Sequence, residues 1–390
     1  MASLNLPQSD ATVRLRAIDA KTQMCVSSKG FIQPSLPGFE ILNLTSITFL
    51  IEHPQLQKKL LFDCGARKDF ENFSPRIKER LNLNVKGLKI ERDVHEVVQA
   101  AGISLNELDA MIWSHWHWDH HGAPEEYPPH VDVVVGPGFK ATFMPGYPTN
   151  PDAIFLDANF AGRSIREIAF SDESFKIGNF RAHDYFGDGS FYLLDTPGHA
   201  IGHMCGLART TRTTFVFLGG DICHFGGSFR PSSSIPLPDP VPNAHLDAHF
   251  PHPCPCSVFT AVHPAGPSSS SNSPRTEPFF EVTSSAQSAY LDREEAARSI
   301  RELQRFDGHP DVLVCIAHDP TLIRVLPFLN ERPERDLNAW KEEGLKEKAR
   351  WGWLNELPRD GRPGREMYVE GVWKEGELMG DFTELKATIY

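Results

Sequence analysis

The 390-residue chain sets 39 Lys and Arg against 51 Asp and Glu, a formal charge of −12 with no basic cluster, which argues against a nucleic-acid partner. Nothing in it approaches the roughly 18 apolar residues of a membrane span, and Met1 to Ala20 lacks the basic and apolar regions of an export signal. A cytoplasmic protein without membrane contact is therefore expected, with the scattered cysteines (25, 64, 205, 223, 254, 256 and 315) read as reduced thiols.

Val13 to Ile18, Ile47 to Ile51 and Lys59 to Phe62 read as strands, the last two joined through the turn signal His53-Pro54 as a hairpin. Asp93 to Ala101 carries Val94, Val97, Val98 and Ala101 at helical spacing, with Gly102 as the stop. Ala110 to Trp113, Phe191 to Leu194, Phe215 to Leu218 and Val312 to Ile316 are short apolar runs that predict buried strands. Each ends on metal-capable residues, which is where a sheet presents side chains to a shared cleft. Asp292-Arg293-Glu294-Glu295 has the form of a helix cap before Ala296, Ile300 and Leu303.

One domain over 1–390 is expected. The Pro, Ser, Gly and His-rich segment 226–285, with its Ser268 to Ser271 tract, reads as a mobile insertion without a core of its own, able to overhang a site, and 320–390 as a C-terminal extension.

The segment Ser114-His115-Trp116-His117-Trp118-Asp119-His120-His121-Gly122 packs imidazoles and a carboxylate into one turn, with Gly122 permitting the tight bend. Neutral imidazole and carboxylate are the ligands Zn²⁺ prefers. A solvent-exposed His-rich loop would not be followed by Thr196-Pro197-Gly198-His199, Gly219-Gly220-Asp221 and Ala317-His318-Asp319, each after its own apolar strand.

HxHxDHxG, then TPGH, GGD and a late AH resembles the ordered motif set of the metallo-β-lactamase superfamily, from about Thr12 to His318 and including Phe62-Asp63-Cys64-Gly65. The resemblance implies an α/β fold, a four-layer αβ/βα sandwich with the metal site between two mixed sheets. It also implies two zinc ions, with manganese or iron as alternatives. By motif position His115, His117 and His199 would bind the first ion, Asp119, His120 and His318 the second, and Asp221 would bridge them. Two ions bring +4, and Asp119, Asp221 and a bridging hydroxide −3, leaving about +1 for an oxyanion.

Lactonase-like members match best. They imply a zinc-dependent hydrolase in which a metal-bridging hydroxide attacks the carbonyl of a small cyclic ester, amide or carbamate. Fungal members that detoxify benzoxazolinone-type lactams extend the same reading, with Asp119 and His224 as catalytic residues. His224 stands where such relatives often have a tyrosine, three residues after the bridging Asp, and reads either as a proton donor to the leaving atom or as a supporting histidine.

Asp63 is expected to orient a histidine and His203 to support rather than ligate. His121 is expected to be spare and solvent-facing. Of Trp116 and Trp118, one is expected to pack and one to form a wall for substrate. His252-Pro253-Cys254-Pro255-Cys256 lacks a second ligand pair for a structural zinc. The alternatives are a thioesterase of the glyoxalase II or polyketide type, with Lys341, Lys346 and Arg350 as the basic residues a glutathione site would need, and a non-catalytic metal-binding module.

Overall fold

A computed structural model of the chain describes residues 4–171, 173–266 and 273–380. Two six-stranded sheets form its centre. The first runs in spatial order Arg14–Asp19, Ile47–His53, Lys58–Phe62, Ala110–Ile112, Asp132–Val135 and Ile165–Glu167. It is antiparallel as far as Lys58–Phe62 and parallel beyond. The second runs Lys176–Ile177, Phe180–Asp184, Phe191–Asp195, Met204–Arg209, Phe215–Leu218 and Val312–Cys315, and only its last pair is parallel. All the strands expected from the sequence are present, including the Ile47–His53/Lys58–Phe62 hairpin.

Alternation decides which face each residue serves. Phe49, Ile51, Leu60 and Phe62 of the first sheet meet Phe191, Leu193, Val216 and Leu218 of the second in one buried cluster. Leu50 and Leu61 point the other way, onto the helix Val94–Ala100. Phe215 and Phe217 face the helix Arg293–Gly308 through Ile300, Leu303 and Phe306. The order helix, sheet, sheet, helix is the expected four-layer αβ/βα sandwich. Both helix starts are capped: Asp93 and Glu96 make a reciprocal capping box, and the Asp292 carboxylate accepts from the Glu295 N–H.

A third sheet was not anticipated. Its five strands are Glu377–Leu378, Gly371–Lys374, Val85–Ile90, Thr22–Ser27 and Ile41–Leu44. Its inner face, with Met24, Val26, Leu42, Leu44 and Leu88, packs into a further buried cluster.

The expectation that 226–285 carries no core is corrected by that same cluster. Leu237, Val241, Phe250, Phe259, Phe279 and Phe280 are buried in it beside Trp351, Trp353 and Leu354 of the 320–390 stretch. The apolar residues of the segment are few, but they include Phe229, Phe250, Phe259, Phe279 and Phe280, all buried, and each aromatic side chain buries about 150–250 Å². The Ser268 to Ser271 tract lies outside the described residues. All seven cysteines are buried and unpaired. No helix among the described residues is long and apolar enough to cross a membrane.

Candidate metal centre

The chemistry-bearing side chains stand at the ends of four strands. The turn after Ala110–Ile112 carries His115, His117, Asp119 and His120, the turn after Phe191–Asp195 carries His199, Phe215–Leu218 leads to Asp221, and Val312–Cys315 leads to His318. Two glycines let these turns close. Gly122 has φ +59°, and a Cβ there would lie 2.6 Å from the Cys64 carbonyl oxygen. At Gly198, φ +122°, it would lie 2.1 Å from the Ala296 nitrogen.

The seven residues converge as two donor sets around one carboxylate. In the first, His115 Nε2 lies 2.8 Å from His117 Nδ1 and 3.2 Å from His199 Nε2, which is 3.0 Å from His117 Nδ1. Asp221 Oδ2 completes it, 3.5 Å from His115 Nε2 and 3.3 Å from His199 Nε2. In the second, Asp119 Oδ2 lies 3.8 Å from His120 Nε2 and 3.5 Å from His318 Nε2. Asp221 Oδ1 is 3.1 Å from His120 Nε2 and 2.9 Å from His318 Nε2. One carboxylate thus offers a different oxygen to each set.

Divalent cations fit this arrangement. A tetrahedral ion with ligands at about 2.0–2.1 Å has ligand–ligand edges of roughly 3.3 Å, close to the spacing of the first set. One N–H cannot satisfy three mutually adjacent nitrogens, so hydrogen bonding alone does not account for that triangle. His120 Nε2 and Asp221 Oδ1 are both buried without a hydrogen bond, which is costly unless a cation receives them. Burial holds the His115 and His117 imidazoles well below their ordinary pKa, so both keep lone pairs for a metal. Burial pushes Asp221 up, but His120, His318, His224 and His115 outweigh it and hold this carboxyl well below the usual range.

A set of partners behind the donors fixes which nitrogen faces inward. Ser114 donates to Asp63 through its backbone N–H (2.7 Å to Oδ1) and its hydroxyl (2.9 Å to Oδ2). His120 Nδ1–H donates to the same Oδ2 at 2.8 Å, and His115 Nδ1–H to Ser114 Oγ at 3.0 Å. Asp63 therefore orients one imidazole of each set, and does so from a left-handed backbone, φ +62°, which Asp tolerates better than most residues. His318 Nδ1–H donates to the Thr45 carbonyl. His203 gives its Nδ1–H to the Thr196 carbonyl (3.0 Å) and accepts the Asp221 backbone N–H at Nε2 (3.0 Å), the supporting place expected of it. Asp63→Asn is expected to weaken ion retention by about 10- to 100-fold, measured by chelator competition; unchanged retention would show that the two imidazoles need no such anchor.

A cavity of about 910 Å³ opens onto the donors. It is lined by His117, Asp119, His199, Asp221, His224 and His318, and also by the apolar Met24, Val26, Leu44, Ile77 and Leu81. Trp116 and Trp118 both line it, so the expected division of labour between them does not hold: Trp116 also packs on Phe143, and Trp118 on Phe73. The expectation for His121 is also corrected. The short helical turn Trp118–His121 rotates it inward, where it is buried against Trp113, Phe155 and Phe73 and held down to about pKa 3 by burial.

His224 lies at the cavity with Nε2 3.1 Å from Asp221 Oδ2 and Nδ1 2.9 Å from the hydroxyl of Tyr290. Sequence reasoning passed over Tyr290, and equally Ser114 and Thr45 as partners of the donors. No local pattern marks a lone tyrosine in an irregular stretch. The 286–291 stretch lines the cavity, whereas no described residue of 226–285 does.

Comparison with known proteins agrees with this geometry. The family model described as the metallo-β-lactamase superfamily matches residues 46–219. The chain is 38% identical to the metallo-hydrolase mfmC of Annulohypoxylon moriforme, over 91% of this chain and 90% of that protein. It is also 38% identical to the gamma-lactamase FDB1 of Fusarium pseudograminearum, over 90% of this chain and 84% of that protein. The crystal structure of a quorum-quenching N-acyl homoserine lactone hydrolase, 16% identical, superposes with a TM-score of 0.51 over 82% of this chain and 98% of its own, a likeness of fold. With its four-layer sandwich, its donors at four strand ends and these relatives, the chain belongs to the metallo-β-lactamase superfamily.

Proposed function

We propose that the protein is a cytoplasmic dinuclear zinc hydrolase that opens a cyclic amide or ester, a lactam or lactone. The observation that carries this is Asp221, with one oxygen toward His115 and His199 and the other toward His120 and His318. In this reading His115, His117 and His199 hold one ion, Asp119, His120 and His318 the other, and Asp221 both. When bound, such ions polarise a carbonyl and bring the pKa of water to about 7.

The side chains do the rest. Asp119 faces the cavity and takes the proton of the attacking water. His224, beside Asp221, gives a proton to the leaving nitrogen or oxygen and is reprotonated by the proton that Asp119 took, so that the water's proton ends on the leaving group. The two tryptophans and the apolar lining of Met24, Val26, Leu44, Ile77 and Leu81 exclude water and form an apolar wall for the body of the substrate. Identity to a gamma-lactamase supports a lactam ring; a benzoxazolinone-type lactam or carbamate, and with it a role in detoxification, is the narrower proposal that the resemblance to fungal members suggests.

A thioesterase of the glyoxalase II type finds less support. Lys346 is buried and donates to the His309 and Val312 carbonyls, Lys341 pairs with Asp311, and neither they nor Arg350 line the cavity.

Hydrolysis of lactone, lactam, β-lactam and thioester substrates, before and after chelation and in His199→Ala, tests the assignment. Ring opening that is lost on both treatments supports it, thioester cleavage alone shifts it to the second reading, and folded, zinc-loaded protein with no hydrolysis returns the chain to a binding module. The apolar wall carries its own expectation: within a lactam series, each added methylene that reaches the wall lowers KM by about fourfold, from about 0.8 kcal/mol per buried CH₂. A KM independent of chain length would place the substrate elsewhere in the cavity.

A further inference from the structure

The ring of His224 is held from several sides. Phe31 lies against it at 4.5 Å between centroids, and His318 stacks on it at 5.3 Å with 15° between planes. Its Nε2 is 3.1 Å from Asp221 Oδ2 and its Nδ1 is 2.9 Å from Tyr290 Oη, 66 positions away in the chain.

The Tyr290 stretch is itself tied down. Ala289 N–H donates to the Gly30 carbonyl (2.8 Å), Tyr290 N–H to Ser288 Oγ (3.0 Å), and Leu291 and Asp292 N–H to the His199 and Gly198 carbonyls (2.9 Å each). The hydroxyl is thus referenced directly to the turn that carries His199.

An ionised carboxylate only accepts hydrogen bonds, so the contact with Asp221 requires the hydrogen on Nε2 of His224. A neutral imidazole then has its lone pair at Nδ1, and among the described residues its hydrogen-bond partner there is the Tyr290 hydroxyl. Nδ1 of His224 is the hydrogen-bond partner of this buried phenol among the described residues, and a phenol donates readily to an imidazole lone pair.

The alternative use of the ring is close at hand. Ligand atoms of Asp221, His224 and His318 lie within 4.8 Å of one another, a grouping able to hold a cation. An Nε2 lone pair would make His224 a competing ligand.

We infer that Tyr290 is a positioning residue that, by donating its hydroxyl to Nδ1 of His224, fixes the Nε2–H tautomer, keeps that hydrogen on Asp221 at the edge of the cavity and withholds the ring from the metal ions. The inference rests on the proposed proton donation by His224 for its kinetic consequence alone. The tautomer itself is independent of what the protein hydrolyses.

The test is ¹⁵N NMR of histidine-labelled, zinc-loaded protein, with the His224 ring signals assigned by their loss in His224→Gln. Wild type is expected to show Nε2–H and an unprotonated, hydrogen-bonded Nδ1. In Tyr290→Phe, which keeps the ring contacts, the signals are expected to move to mixed tautomers or to a metal-bound ring. On a substrate the protein opens, kcat falls about 10- to 100-fold while KM stays within about twofold. Phe31→Leu, which loosens packing without touching the hydrogen bond, is expected to leave the tautomer in place.

Unchanged ring nitrogens in Tyr290→Phe would overturn the inference, as would the same change in Phe31→Leu. So would an Nδ1–H signal in wild type, a result available even if Tyr290→Phe does not fold. If no ring substrate is opened at all, the proposed function fails while the nitrogen signals still decide the role of Tyr290.

Discussion

Asp221→Ala is expected to hold no more than one ion tightly and to lose at least about 10⁴-fold in kcat/KM on the best ring substrate. Among the described residues, Asp221 is the carboxylate whose two oxygens face the two donor sets. Oδ1 meets His120 and His318, and Oδ2 meets His115, His199 and His224. Of the five imidazoles around this buried carboxylate, His120, His318, His224 and His115 hold its pKa well below the usual carboxyl range against the cost of burial. Without it, two divalent ions would face each other with one fewer negative charge between them, and like-charge repulsion would expel the weaker-held one. Asp221→Asn keeps the volume and separates charge from shape. It should fold as wild type, lose an ion by elemental analysis and lose activity with it. Two retained ions and near-normal kcat/KM in either variant would show that the carboxylate is not the bridge.

Removing metal from the wild-type protein is expected to lower the unfolding temperature by about 10–20 °C. The donors come from strand ends of both sheets, so ions there tie the layers together. Stripping them leaves His120 Nε2 and Asp221 Oδ1 buried without partners. Two ions, each at about 100 times its dissociation constant, contribute roughly 5 kcal/mol of linkage stabilisation. In a large domain each kcal/mol is worth about 2–4 °C. Calorimetry with and without chelator measures this, and His199→Ala should show a smaller chelator effect because its first donor set is already broken. An unfolding temperature indifferent to chelator in the wild type would mean that the side chains hold their places unaided.

The donors were legible because their signal is local. An apolar run that stops at His115, His199, Asp221 or His318 announces both a strand and what its end presents, whereas the four-layer fold came only with the resemblance of the ordered motifs to the metallo-β-lactamase superfamily. The helix Arg293–Gly308 was legible for the same reason, its cap at Asp292 and its apolar face lying within a few residues of each other.

What was missed is pairing between distant residues. Ser114 finds Asp63 across 51 positions, and His318 finds Thr45 across 273. The five-stranded sheet joins Thr22–Ser27 to Val85–Ile90 and then to Gly371–Lys374, short mixed runs whose only reason to be strands is one another. His121 was misplaced because a count of histidines does not say which way a four-residue helical turn rotates them. Segment 226–285 was misread because composition counts residues, whereas burial depends on how much surface each aromatic removes from water.

The most direct test of a dinuclear centre is anomalous X-ray scattering at the zinc edge from crystals of the reconstituted protein. Two peaks are expected, one bounded by His115, His117 and His199 and one by Asp119, His120 and His318, with an Asp221 oxygen at each. A single peak, or a second ion bound by His224 in place of Asp119, would contradict it.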